Sequence, residues 1–229
     1  LGELVGQQAF ERARFLWEGG LAAGSGSAAR SSAKRELSWM HTVPERANRL
    51  LTVSVSTTNS VPVTSVTYAG LPLTRLGTSV DSRNDSRVEL WYRVAPPAGT
   101  GTVRVQLTRD EDIVAGAANF SGVNQASPFG ILRSARGEST SACVTLANEA
   151  ADLVAHVVAA NGAAGGVQPA SGFTQQFYAA SDTTDTNSDD IWGSGTAGPS
   201  APVGSVCQYL QRSKRWAALA VPLKPAARR

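Results

Sequence analysis

From residue 35 onward, apolar positions recur every second residue. In Leu50-Leu51-Thr52-Val53-Ser54-Val55-Ser56, Leu51, Val53 and Val55 share one face, and Thr52, Ser54 and Ser56 share the other. That alternation marks a half-buried antiparallel strand. Val88 to Val94 and Thr102 to Leu107 repeat it, and further strands are predicted near 63–68, 113–120, 140–146, 152–160, 173–178, 204–211 and 215–223. Turn-forming residues separate them at Ala69-Gly70, Arg83-Asn84-Asp85, Pro96-Pro97-Ala98-Gly99 and Asn161-Gly162. About eleven strands with short turns and no interior helix predict an all-β, antiparallel, jelly-roll-like β-sandwich over residues 35–225. No internal repeat is apparent, and a sandwich of this size can enclose one core.

Residues 1–23 follow another period. Leu4, Val5, Phe10, Ala13, Trp17 and Leu21 recur at helical spacings among Glu3, Glu11, Arg12 and Glu18. This predicts a short amphipathic helix to about residue 11. Arg12 to Trp17 also alternates, so the second part of the extension fits either a helix or a strand. Residues 24–34, rich in Gly, Ser and Ala, read as a flexible linker. A short apolar-striped segment has little stability by itself. It either packs back on the sandwich or docks onto another protein, and Leu4, Val5, Phe10 and Trp17 are the contact residues expected of a docking extension. Residues 180–203 break the strand rhythm and read as a long polar loop.

Composition narrows the class. The chain is 42% hydrophobic but only 17% charged, below the roughly 25% charge of ordinary soluble domains. Ser, Thr, Asn and Gln supply the remaining polar surface, so disorder is excluded. The net charge of +3 comes from scattered arginines, and neither a basic stripe nor a nucleic-acid motif is present. No run of about 18 apolar residues occurs, so no membrane span is expected.

Several segments resemble one family. Leu37-Ser38-Trp39-Met40-His41-Thr42-Val43, Asn48-Arg49-Leu50-Leu51 and the stretch Val63 to Thr74 come in order. Val88-Glu89-Leu90-Trp91-Tyr92, Phe120-Ser121-Gly122-Val123-Asn124-Gln125 and the closing stretch Arg215 to Pro225 follow. Over residues 30–225 these strand cores and turns resemble poorly characterised jelly-roll or β-sandwich modules of large secreted or cell-surface bacterial proteins. The resemblance implies adhesion, scaffolding or glycan contact and brings no catalytic residues. The first 20 residues and the cysteine pair lie outside it.

Candidate chemistry is sparse. Cys143 and Cys207 stand far apart without a CxxC or Cys/His cluster, which disfavours structural zinc. A cross-strand disulfide is the preferred reading and implies an oxidising compartment; two buried thiols are the alternative. Of the two histidines, His41 lies beside Trp39, whereas His156 lies in a strand apolar on both faces and is expected to be a hydrogen-bonded core residue. No nucleophile motif accompanies either, and no cofactor or catalytic residue is expected. Asp182, Asp185, Asn187 and Asp189 offer hard oxygens suited to calcium, but their spacing does not match the EF-hand loop, so a solvated loop outranks a metal site. Trp91, Trp192 and Tyr178 could form an aromatic platform. Trp91 shares its face with Glu89 and Arg93, so both Trp91 and Trp192 enter as candidate partner contacts, with a core position as the competing reading.

Together these features predict a non-catalytic extracytoplasmic subunit, periplasmic, secreted or at the cell surface, that braces a larger assembly through protein–protein contacts. The assembly would be a membrane or envelope complex, to which the chain is at most peripheral, or a surface filament. A carbohydrate-binding or adhesive module and a virion decoration or fibre protein are the alternatives.

Overall fold

The computed structural model describes residues 20–147, 153–162, 166–181, 190–199 and 203–227. Among them are thirteen strands: β1 (Ala22–Val43), β2 (Leu50–Thr58), β3 (Val63–Tyr68), β4 (Leu71–Pro72), β5 (Thr74–Val80), β6 (Ser86–Val94), β7 (Gly99–Ser121), β8 (Arg133–Ala147), β9 (Leu153–Asn161), β10 (Val167–Pro169), β11 (Thr174–Ala180), β12 (Ile191–Pro199) and β13 (Val203–Leu223). They form two antiparallel sheets packed face to face, the sandwich expected from the alternation. The expected turns are present: Ala69, Gly70, Asn84, Gly99 and Gly162 all adopt positive φ.

Three expectations are corrected. Segments 102–107 and 113–120 are one strand, β7, and 204–211 and 215–223 are one strand, β13. The polar stretches Thr108 to Asp112 and Gln211 to Lys214 read as loops because their side chains face solvent as the strands bend. Residues 24–34 are not a linker. They belong to β1, whose Gly26 to Ser31 pairs with β7. Their small side chains reflect close packing, since a Cβ on Gly26 would lie 2.0 Å from the Gln176 carbonyl oxygen of β11. Likewise, residues 191–199 of the expected loop form the buried strand β12. Its glycines admit aromatic rings: Phe177 lies against both Gly195 and Gly116, at 2.2 and 2.1 Å from the Cβ each would carry.

The two sheets share one topology. The first runs β4-β3-β7-β2-β6-β5 with β1 beside β7; the second runs β10-β13-β9-β12-β11 with β8 beside β13. Exchanging β1, β2, β3, β5, β6 and β7 for β8, β9, β10, β11, β12 and β13 converts one into the other, leaving only β4 extra. Register agrees too. Leu50 stands opposite Phe120 and Val94, as Leu153 stands opposite Leu223 and Pro199. The halves also clasp reciprocally. Arg30 and Ser32 of β1 donate to the carbonyls of Ala180, in β11, and Ser181, and Ser79 of β5 donates to Ala135 of β8. The fold is thus a structural repeat that the sequence conceals.

Each half bends over itself. The first part of β7, with β3 and the end of β1, covers the face of β2 and β6, so Val103, Val105 and Leu107 pack with Val53, Val55 and Trp91. The second half encloses Val144, Leu146, Val154, Val158, Trp192 and Trp216 in the same manner. A third cluster, including Leu50, Leu90, Phe120, Val157 and Leu219, fills the space between the sheets. The single core expected from the sequence is three. No helix among the described residues is long and apolar enough to cross a membrane.

Candidate functional site

Alternation in β1 places Leu37, Trp39, His41 and Val43 on the inward face. His41 is buried where the two arms of β1 meet β7. Ser27, from the first arm of β1, lies with its Oγ 2.7 Å from His41 Nδ1, and Trp39 Nε1 donates to that Oγ at 2.9 Å. On the other side, His41 Nε2 is 3.0 Å from Asn119 Oδ1, while Asn119 Nδ2 donates to the carbonyls of Ser25 and Thr42.

For a neutral ring these contacts fix the tautomer. The Asn119 amide nitrogen serves two carbonyls, so its oxygen must accept from Nε2–H. Nδ1 is therefore the acceptor, and Ser27, already accepting from Trp39, donates to it. Burial lowers the His41 pKa, opposed by the Asn119 hydrogen bond. The set superficially resembles a nucleophile–base–orienter relay. Its orienter is a neutral amide whose donors hold both arms of β1, and its serine oxygen already accepts from an indole. The geometry suits a clasp on the bend.

The partner-contact tryptophans are corrected. Trp91 is buried in the first core, and Trp192 is buried in the second. The face that Trp91 shares with Glu89 is covered because the first part of β7 folds over it. Glu89 itself is fully buried. It accepts from Arg87 Nε at 2.6 Å, from the Trp91 indole at 3.1 Å and from Val63 N–H at 3.2 Å, with Arg75 at 3.7 Å. Of the proposed aromatic platform, only Tyr178 is exposed, while Tyr209 is an exposed aromatic that the sequence reading missed.

Cys143 and Cys207 face each other across β8 and β13 and are disulfide-bonded. Leu4, Val5, Phe10 and Trp17 lie outside the described residues, as do Asp182, Asp185, Asn187 and Asp189. Among the described residues, no group of three or more His, Cys, Asp or Glu side chains could hold a metal ion.

His156 departs from expectation. It is fully buried, yet neither ring nitrogen has a hydrogen-bond partner among the described residues. Desolvation alone drives its pKa down to about 3. The unfolded chain, with an ordinary histidine pKa near 6.5, therefore binds the proton more readily than the folded one. Stability from this group is complete above about pH 6.5 and falls as pH drops toward 3. At pH 5 the loss is about 2 kcal/mol. We expect His156→Val, which places here the residue found at the equivalent position 53, to flatten the acid limb of a urea-melt stability profile between pH 7 and 5. An unchanged acid limb would show that the charged imidazolium is as well solvated in the folded protein as in the unfolded chain.

No protein-family model matches the chain, and comparison with curated proteins finds no matching relative.

Proposed function

We propose that this chain is a non-catalytic, extracytoplasmic interaction subunit that docks into a larger protein assembly through its N-terminal segment. The observation that carries this reading is the start of β1. Residues 24–34, expected to tether the 1–23 extension loosely, belong to a paired strand that begins at Ala22, and Leu21 packs on the core between the sheets. An apolar-striped segment joined within a few residues of a rigid sheet enters a partner with a defined orientation and little tether entropy to lose. The clasping role of His41, Asn119 and Glu89 supports a non-catalytic role, because these polar residues are committed to holding strands. The Cys143–Cys207 disulfide is compatible with an oxidising compartment. The resemblance to extracellular sandwich modules points the same way.

The test is native isolation under mild detergent, with cross-linking mass spectrometry of the full chain and of a chain lacking residues 1–17. The expected result is a reproducible set of partners cross-linked to residues 1–17 and lost on their deletion, with thermal melting unchanged. A full chain that migrates alone would overturn it. A glycan reading rests on exposed Tyr178 and Tyr209; retention on a glycan array that is lost in Tyr209→Ala would favour that reading instead.

A further inference from the structure

The structural repeat allows the two interiors to be compared position by position. In the first half, Val53 of β2 stands between Ala117 of β7 and Trp91 of β6. The equivalent residue in the second half is His156, between Ala220 of β13 and Thr196 of β12. A valine–tryptophan pair has become a histidine–threonine pair with much less side-chain volume. A third polar residue joins them. Gln208 projects inward from the first part of β13, as Val103 and Val105 do from β7, and its Nε2 donates to the His156 carbonyl at 3.1 Å.

All three side chains are buried, with exposures of 0% for His156, 2% for Thr196 and 0% for Gln208. His156 Nδ1, His156 Nε2, Thr196 Oγ1 and Gln208 Oε1 have no hydrogen-bond partner among the described residues. Each unsatisfied buried group costs about 1–3 kcal/mol. Four such atoms in one core layer would consume a large part of a domain's net stability of roughly 5–15 kcal/mol. The first half solves the same problem with protein atoms, since the Trp91 indole is answered by Glu89.

We infer that the second half contains a built internal hydration site, in which at least one ordered water bridges His156, Thr196 and the Gln208 carbonyl oxygen. The chemistry selects this ligand class. A neutral imidazole offers one donor and one acceptor, threonine offers both, and the Gln208 oxygen accepts. A buried water uses two to four such partners. Among the described residues the buried carboxylates are Asp81 and Glu89, both in the first half, and Asp190, six residues before Thr196 along the chain, so an anion or cation beside His156 would lack a counter-charge. Water is also small enough to exchange through local opening of residues this deeply enclosed.

The test is oxygen-17 magnetic relaxation dispersion on the intact protein, supported by nitrogen-15 spectra of the histidine rings. The wild type is expected to show long-residence internal water and a His156 ring proton exchanging magnetisation with water. Thr196→Val and His156→Val should each reduce the long-lived water signal, while Val53→Thr should leave it in place. Two results would overturn the inference: an internal-water signal unchanged in both variants, or a direct hydrogen bond between the ring and Thr196 seen as scalar coupling without water contact. An organic molecule released on denaturation and detected by native mass spectrometry would likewise replace water as the occupant. If His156→Val fails to fold, Thr196→Val alone decides, because valine has the shape of the threonine it replaces.

Discussion

Replacing Glu89 with alanine is expected to lower folding stability by about 3–5 kcal/mol, the effect of breaking a buried charge pair from one side. The carboxylate is fully enclosed, and its partners come from different segments: Arg87 and Trp91 of β6, Val63 at the start of β3 and the more distant Arg75 of β5. Removing it leaves the Arg87 guanidinium, an indole N–H and a backbone N–H facing a space that offers no acceptor. Arg75 adds little, because its side chain is 48% exposed and 3.7 Å away. Glu89→Gln keeps an acceptor oxygen and should lie between wild type and alanine. The measurement is the denaturation midpoint of the three proteins at neutral pH. A Glu89→Ala protein within about 1 kcal/mol of wild type would mean that solvent reaches this pocket and replaces the carboxylate. The second half shows why glutamate is not intrinsic to the fold. Ser194 occupies the equivalent place, receives Gln175 Nε2 and donates to the Phe177 carbonyl, and no tryptophan sits two residues on.

How much of this was legible in the sequence follows from what alternation can encode. The period-two pattern locates strands and the face of each, so β2, β6, β9 and the ends of β7 and β13 fall where expected. It cannot say whether the opposite face is covered. Glu89, Trp91 and Arg93 read as an outward set because charged residues usually face water, yet a strand folded from elsewhere encloses the first two. Composition misled at Gly24 to Ser32 and at Ile191 to Pro199 for one reason. Stretches of small and polar residues read as linker or loop, whereas here the small ones leave room for a neighbouring backbone at Gly26 and for an aromatic ring at Gly195. The repeat was hidden because the halves preserve topology and register while exchanging core chemistry, valine for histidine and tryptophan for threonine. His41 lay within reach of the pattern, since it shares a face with Leu37, Trp39 and Val43. Its partners Ser27 and Asn119 did not, because 14 and 78 residues separate them from it.

Removing the disulfide, as Cys143→Ser with Cys207→Ser, is expected to cost about 4 kcal/mol, the chain-entropy value for a 64-residue separation. Where that loss appears is more informative than its size. The bridge joins the far part of β8 to the first part of β13, the layer that covers the second half's own core. The first half has no counterpart and relies on Glu89 and the His41 clasp. Hydrogen exchange should therefore accelerate first in residues 141–147 and 203–210, with β2, β6 and the second part of β7 keeping their protection. The inter-sheet core, which both halves build, should hold until global unfolding. Acceleration spread evenly over all thirteen strands would instead mean that the halves open as one cooperative unit. A local response would show that the covering layer of the second half, where Gln208 and Tyr209 sit, is the part of the molecule whose integrity the disulfide maintains.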